Sequence, residues 1–337
     1  MGKYILKRLG YIVLVFFALS FLTFLIYNLI PVDKAFDMAR QECLADKRLV
    51  FAERYLYWQR AYGLDGNKFQ RYLRWLGLYP FYSGAFKGLL QGHLGDSIQY
   101  GKPVLTVIKT PMKNTVVLNL TATALALAIT LPLGVYCARR RGSRRDTAVQ
   151  VGTIIGYSMP TFITAILFIW LFAVTLKIFP VSGMSTPGAE YTGFRAFLDR
   201  AYHYALPLIV MTFCSLGGMT RYVRASMIDA LSLDCIRTAR AKGLKERSVV
   251  YGHAFQNALV PVTVLIVGWF LSIFSGSLMI ENVFGLNGIG RVYYTALTNS
   301  DNEVVLALQT FYVIVGLVGN LLTDLAYGVI DPRIRLS

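Results

Sequence analysis

The sequence predicts an all-helical protein that crosses a membrane six times, and three observations support this fold class. Of the 337 residues, 55% are hydrophobic and only 15% are charged, whereas soluble domains carry about 25% charged residues. Six uncharged runs are each long enough to cross a bilayer, which takes about 20 residues. Clusters of Lys and Arg lie between alternate runs, as is typical of multi-pass membrane proteins.

The six apolar runs predict the positions of the membrane-spanning helices. They lie at residues 11–30, 114–138, 147–176, 201–220, 254–280 and 304–323. The first run is about twice as long as the apolar region of a signal peptide, so we expect it to remain as a span. Four runs contain a proline, which predicts a kink because proline cannot donate a helical hydrogen bond. These prolines are Pro132, Pro160, Pro207 and Pro261.

The basic clusters predict the orientation of the chain, because cytoplasmic loops of membrane proteins are rich in Lys and Arg. Four clusters fall on one side of the membrane if both termini are cytoplasmic. They lie at residues 3–8, 139–145, 221–247 and 333–335. The loops at residues 177–200 and 281–303 hold few cations and are expected to face outside. Topology therefore explains the net charge of +16 without nucleic acid as a partner.

Residues 31–113 predict a helical domain outside the cytoplasm. They hold 13 Lys/Arg and 7 Asp/Glu, but long loops translocate largely regardless of charge. Aromatic and leucine residues at helical spacing fill residues 52–80, with a break at Gly63 and Gly66. The chain thus divides into an N-terminal transmembrane helix at 1–30, this extracytoplasmic helical domain, and a transmembrane core at 114–337.

Residues 221–257, called the basic segment below, are unusually polar for this chain. The cations are Arg221, Arg224, Arg237, Arg240, Lys242, Lys245 and Arg247. The pattern predicts two short helices that meet at a corner. Ser232 or Asp234 is suited to cap the first helix, and Gly243 to end it in the left-handed conformation. A second helix is predicted to begin at residues 245–247 and to run toward Pro261.

Two interpretations of the basic segment are open. A loop that only fixes topology and contacts anionic lipid needs charge alone. A docking surface for another protein also needs shape, which a helix–Gly–helix corner supplies. Small side chains at Thr238, Ala239 and Ala241 are predicted to lie along one side of the first helix, where they would let a partner approach closely.

The sequence shows no pattern typical of an enzyme or a metal protein. The four cysteines are scattered, and only three histidines occur, so we expect no catalytic residues, no cofactor-binding residues and no metal site. The phosphate-binding pattern G-x-x-x-x-G-K-[ST] is also missing from the sequence. ATP is therefore not expected to bind to this chain.

Much of the sequence resembles one family of membrane transport proteins. The run RYVRASMIDALSLDCIRTARAKGLKERSVVYGHAFQNALVPV, at residues 221–262, is similar to a loop of permease subunits in the dipeptide/oligopeptide branch of ATP-binding-cassette (ABC) importers. Other similar runs are MGKYILKRLGYIVLV, YLRWL, HLGDSI, GYSMPTFITAIL, GSLMIENVFGLNGIGR and NLLTDLAYGVIDPRIR. The resemblance covers nearly the whole chain and is densest from residue 156 onward.

The resemblance implies a type I ABC importer permease fold, with an extracytoplasmic insertion between helices 1 and 2. It also implies that residues 234–243 form a coupling helix, which contacts a separate cytoplasmic ATPase subunit. The residues of this contact would be Asp234, Cys235, Arg237, Thr238, Ala239, Arg240, Ala241, Lys242 and Gly243. The chain itself would be a transport subunit and not an enzyme.

The family also implies partners and a location. The expected partners are a homologous second permease subunit in a heterodimer, two ATPase subunits that bind ATP and Mg, and an extracytoplasmic substrate-binding protein. The expected location is the bacterial cytoplasmic (inner) membrane, with the chain in contact with lipid. The expected substrates are di- or oligopeptides, and nickel, glutathione or a sugar remain alternatives. Residues 30–36 and 78–92 depart from the family pattern, which leaves the substrate open.

Polar residues in the spans are candidates for the lining of a transport pathway. They are Asn119, Thr123, Ser158, Thr161, Ser275 and Asn282. Such side chains in membrane helices often bond instead to their own backbone or to a neighbouring helix.

An ion-coupled secondary transporter is a second interpretation, and a channel or a purely structural membrane protein is a third. Ion coupling requires ionisable groups within the membrane. The candidates are His203, Glu281, Glu303 and Asp324, and each lies near the end of a predicted span. No inverted repeat is evident in the sequence, which makes this interpretation the weaker one.

Overall fold

The computed structural model describes residues 2–29 and 33–330, and in them the regular secondary structure is helical, apart from one isolated bridge between Asp96 and Pro103. The α-helices are α1 (Gly2–Tyr27), α2 (Lys34–Ala45), α3 (Phe51–Ala61), α4 (Lys68–Leu76), α5 (Val104–Arg139), α6 (Arg144–Ser158), α7 (Thr161–Phe168), α8 (Gly193–Leu231), α9 (Asp234–Ala241), α10 (Glu246–Ser248), α11 (Phe255–Ser272), α12 (Leu278–Val283), α13 (Ile289–Thr298) and α14 (Asn302–Ile330). Two π-helical stretches, Ile169–Thr175 and Val249–Ala254, follow α7 and α10.

The predicted fold class is confirmed. Five helices of the described chain are long and apolar enough to cross a membrane, and a sixth span is counted if one bent pair is a single span. The five lie at Tyr4–Tyr27, Val104–Arg139, Gly193–Leu231, Glu246–Ser275 and Asn302–Ala326. Residue 30, at the end of the first predicted span, and the cations at 333–335 lie outside the described residues.

The third predicted span is not one continuous helix. It consists of Arg144–Ser158 and Thr161–Thr175, which meet at a bend of 104°. Met159, between them, has an extended backbone with φ −82° and ψ 134°. The cause is Pro160, because the proline ring disfavours the helical conformation of the preceding residue. By contrast, Pro132, Pro207 and Pro261 lie inside continuous helices.

The described chain forms two compact units. The core unit contains residues 2–4, 110–294 and 315–330, and the N-terminal unit contains residues 5–29, 33–109 and 295–314. In the N-terminal unit, the predicted break in residues 52–80 is confirmed, because Gly63 and Gly66 have positive φ between α3 and α4. Phe24, Tyr72, Leu76 and Leu306 form a buried apolar cluster there.

Polar contacts also stabilise the N-terminal unit. Arg54 donates to both carboxylate oxygens of Glu42, over 2.5 and 2.9 Å, and the Trp58 indole donates to the same carboxylate. The hydrogen bonds from Arg54 and Trp58 lower the pKa of Glu42. Asp301 is fully buried and accepts hydrogen bonds from the Ser97 hydroxyl and from the backbone N–H of Gln99.

In the core unit, α6 and α8 approach each other closely at Gly217. A Cβ atom built on Gly217 would overlap the Thr153 carbonyl oxygen and the Tyr157 side chain. Gly218, the next residue, has room for a Cβ, whose nearest neighbour would be the Tyr157 ring at 3.6 Å. Small residues let membrane helices pack closely, so Gly217 fixes the distance between these two helices.

We predict that Gly217→Ala lowers the apparent melting temperature of the purified protein in detergent, because overpacking costs about 1–3 kcal/mol. Gly218→Ala is the matched control and should melt like the unmodified chain. If both variants melt alike, the close approach at Gly217 is not what holds α6 and α8 together.

Candidate functional site

The basic segment begins on α8, where two of its arginines bind the core unit. Arg224 donates through Nε and Nη2 to the two carboxylate oxygens of Asp146, over 2.8 and 2.7 Å. The Asp146 side chain is only 1% exposed and also accepts from the N–H of Gly142 and from Gln150. Arg221 lies over the Tyr157 ring. Arg224 is therefore an anchor, since its guanidinium is already paired inside the protein.

The first predicted short helix is α9, but its cap differs from the prediction. The residue before the helix is Leu233, which makes no side-chain capping hydrogen bond. The prediction that Ser232 or Asp234 is the cap is wrong, because the Ser232 hydroxyl donates to the Asp229 carbonyl at the end of α8. Asp234 lies instead in the first turn of α9, where its negative charge suits the positive end of the helix dipole.

The end of α9 forms the predicted corner. Gly243 has φ +74°, a left-handed conformation that favours glycine at the end of a helix. The Arg240 guanidinium crosses the corner and donates to Glu246 at the start of α10, over 2.8 and 3.1 Å. α10 then continues through the π-helical stretch into α11, toward Pro261. Both the corner and the restart of the helix are thus as predicted.

The two faces of α9 have different environments. Ile236 is fully buried and Ala239 is 6% exposed, and both belong to one apolar cluster with residues of α8, the π-helical stretch and α11. The prediction that three small residues share one accessible side is therefore wrong for Ala239, which packs inward. Thr238 and Ala241 are exposed, as expected for residues three apart on one helical face.

The outer surface of the corner carries the remaining cations. Arg237, Lys242, Lys245 and Arg247 are exposed, as are Asp234 and Cys235. Arg237 contacts Asp234 at 3.4 Å, with both side chains largely exposed, and such pairs contribute little stability. In the described part of the chain, no ion pair involves Lys242, Lys245 or Arg247. The corner thus presents charge to its surroundings on a base of buried apolar residues.

The six candidate pathway residues occupy different environments. Asn119 is buried and donates to the Ile273 carbonyl over 2.8 Å, so its amide joins α5 to the chain after α11 rather than lining an open path. Thr123 and Thr161 are half-buried, and Ser158, Ser275 and Asn282 are exposed. Ser158 and Thr161 flank the break at Pro160. Ser275 and Asn282 lie on either side of the turn at Gly276, where φ is +69°.

Glu281 has a partner set that the sequence did not indicate. It is fully buried, and Oε1 accepts from the Thr115 hydroxyl over 2.7 Å, while Oε2 accepts from the N–H of Arg291 over 3.2 Å. The N–H of Ile289 donates to Thr115 over 2.8 Å. A Cβ on Gly288 or Gly290 would overlap the carboxylate. The glycines of the GLNGIG run therefore let the chain fold around Glu281.

No group of three or more His, Cys, Asp or Glu side chains is placed to bind a metal ion within residues 2–29 and 33–330. The basic corner, with its exposed cations and buried base, has the features of a contact surface for another macromolecule.

We predict that Asp146→Asn destabilises the protein by up to about 3 kcal/mol, because it leaves the Arg224 guanidinium without its buried anionic partner. Glu246→Gln removes the same charge from a second Arg–carboxylate pair, whose side chains are about half exposed, and should cost about 1 kcal/mol or less. Thermal unfolding of both variants in detergent measures the difference. Equal losses would show that burial does not distinguish the two pairs.

Taken together, the long apolar helices define a multi-pass helical membrane protein, and the basic corner is an exposed, charged feature between two of them. The family model described as "binding-protein-dependent transport system inner membrane component" matches residues 130–336. The chain belongs to this family, and it is therefore a transport component of the membrane.

Full-length relatives support this assignment. The chain is 33% identical over 336 residues to the oligopeptide transport system permease protein AppB of Bacillus subtilis (strain 168), which covers 99% of this chain and 100% of that protein. It is 33% identical over 356 residues to the dipeptide transport system permease protein DppB of Escherichia coli (strain K12), with 99% of each chain covered. A solved structure of the MetNI methionine ABC transporter, in inward-facing conformations, is similar with a TM-score of 0.49 and 16% identity, over 66% of this chain and 97% of that chain.

Proposed function

We propose that this chain is the permease subunit of an ABC importer for di- or oligopeptides, and that it forms half of the translocation pathway. The observation that carries the proposal is the basic corner: α9 buries Ile236 and Ala239 and exposes Asp234, Arg237 and Thr238. The full-length relatives named as dipeptide and oligopeptide permeases support the choice of substrate. Nickel, glutathione or a sugar remain the alternatives in the same family.

The corner is proposed to be the contact with a cytoplasmic ATPase subunit, which supplies ATP hydrolysis. The contact is assigned to residues 234–243. Within this range, Ala239 is buried, and its role is to pack α9 against the apolar cluster beneath it. The Arg224–Asp146 pair supports a mechanical role, because it ties α8, which leads into α9, to the start of α6. A displacement of α9 by the ATPase subunit would then also displace α8 and α11, because α9 is packed against both helices.

The proposed location is the bacterial inner membrane, with both termini in the cytoplasm and residues 31–113 outside. The proposed partners are a homologous second permease in a heterodimer, two ATPase subunits that bind ATP and Mg, and a substrate-binding protein. Transport proceeds by alternating access, in which the two permease subunits open to one side and then to the other.

The proposed pathway is lined by Thr123, Ser158, Thr161, Ser275 and Asn282. The support is local geometry: Ser158 and Thr161 flank the break at Pro160, Ser275 directly precedes the turn at Gly276, and Asn282 lies in the short helix α12 that follows this turn. In a membrane, irregular backbone is tolerated where it is buried in protein or lines a water-filled cavity. Asn119 is left out because its amide is used in helix packing.

Ion-coupled secondary transport is the weaker alternative. Glu281 is its most buried acidic candidate, but the carboxylate is already bonded to Thr115 and to the N–H of Arg291. These hydrogen bonds stabilise the turn, and they leave the carboxylate less available to a transported ion.

We predict that Arg237→Glu combined with Gly243→Val lowers ATP-dependent uptake of a radiolabelled dipeptide by at least about ten-fold, while membrane insertion stays normal. Charge reversal removes the contact, and valine disfavours the positive φ of the corner. The assay uses proteoliposomes with the ATPase subunits, the second permease and the binding protein.

Arg141→Glu is the matched control, because it reverses an exposed charge in another basic cluster and should leave uptake intact. Unimpaired uptake by the double variant would falsify the coupling role. If the unmodified transporter takes up nickel or a sugar but no peptide, the substrate assignment is wrong.

A further inference from the structure

The N-terminal unit contains a cavity of about 730 Å³, which lies within the size range of small-molecule sites. Its wall is formed by α1, the start of α2, α3 and α4, by the chain before α5 and by the start of α14. Aromatic rings of Phe24, Tyr62, Trp75 and Phe81 supply apolar surface. Eight acidic, basic or histidine side chains also line it, namely Asp33, Lys34, Arg71, Arg74, Lys87, His93, Asp96 and Glu303.

Most of the charged groups around the cavity are already satisfied. Arg74 binds the Asp65 carboxylate and the carbonyls of Gly63 and Pro80. Lys34 donates to the Asp96 carbonyl and lies 4.2 Å from the centre of the Tyr62 ring. Asp33 caps α2 and accepts from the Tyr55 hydroxyl. The side chains of Lys87, His93 and Asp96 are exposed, so they do not need a partner inside the cavity.

Two half-buried groups of opposite charge are left over. Arg71 lies on α4, and its Nε is buried without a hydrogen-bond partner in the described part of the chain. Glu303 lies in the first turn of α14, beside Gly95, and none of its contacts with described residues is a hydrogen bond or an ion pair. Burial without a bonded partner also lowers the pKa of Arg71. An unpaired buried Nε is costly. The charge of Lys34 only partly offsets the cost of burying the Glu303 carboxylate, so a ligand that bonds to both side chains would stabilise them.

We propose that this cavity binds a short peptide with free ends, whose carboxylate is held by Arg71 and whose ammonium group is held by Glu303. No ion pair joins these two side chains in the described part of the chain, and a ligand that carries separated charges of both signs would satisfy both of them. A guanidinium is well suited to a carboxylate, and the aromatic wall suits the apolar part of a small peptide. The identity of the ligand as a peptide rests on the proposed function, whereas the pairing of charges rests on the cavity alone.

The test is equilibrium dialysis of the purified full-length chain in lipid nanodiscs, without ATPase or binding protein. The probes are dialanine, N-acetyl-dialanine, dialanine amide and the doubly capped form. The unmodified chain should bind dialanine about ten-fold or more tightly than each capped form, because a hydrogen bond to a charged group contributes that much.

Two variants assign the ends of the peptide. Arg71→Gln should bind dialanine and its amide alike yet still prefer a free ammonium group. Glu303→Gln should bind dialanine and its N-acetyl form alike yet still prefer a free carboxylate. Lys68→Gln, on the exposed side of α4, is the control and should keep both preferences. A general folding defect would weaken the binding of all four probes. It would not remove the preference for one free end of the peptide and leave the preference for the other.

The proposal is overturned if the chain does not bind dialanine, if the capped forms bind equally well, or if both variants keep both preferences. These outcomes are independent of ATP-driven uptake. A chain that shows the end-group preferences but supports no uptake would retain the cavity site and contradict the proposed function.

Discussion

The need to satisfy every backbone N–H and C=O without water is the constraint on which this structure depends. In a bilayer, the α-helix meets it within a single segment, and the long apolar helices follow from it. The places where the chain leaves the helix are therefore informative. Two of them interrupt predicted spans: one is at Met159–Pro160, where the proline ring is the cause, and the other is at Gly276, where the backbone has a positive φ.

The corner at Gly243 combines two kinds of interaction that act in different ways. Burial of Ile236 and Ala239 against α8 and α11 fixes the position of α9. The Arg224–Asp146 pair fixes the helix that leads into it. By contrast, the Arg240–Glu246 pair is exposed and contributes little to stability, although it helps to define the angle of the corner. The corner therefore has exposed charges that a partner can bind and a buried base that keeps α9 in place. A surface that transmits a movement of its partner needs both.

Much of the fold and part of the site follow from the sequence. Uncharged runs predict the spans because charge is costly in lipid, and Gly243, Gly63 and Gly66 mark breaks because glycine tolerates positive φ. The inward position of Ala239 was missed because a small residue suits either face of a helix. The partners of Asp146 and Glu281 lie far away in sequence, at residues 224 and 115, so local patterns do not reveal them. The pattern of Ser143 followed by Asp146 does signal a helix start, but not the arginine that binds there.

Photo-cross-linking from α9 tests the central claim most directly. A photoreactive phenylalanine derivative at the exposed position of Thr238 should link this chain to the ATPase subunit in the assembled, ATP-hydrolysing transporter. The same group at Tyr191, which is exposed in a loop proposed to face outside, should not. Absence of a link from position 238 in an active transporter, or an equal link from position 191, would contradict the account.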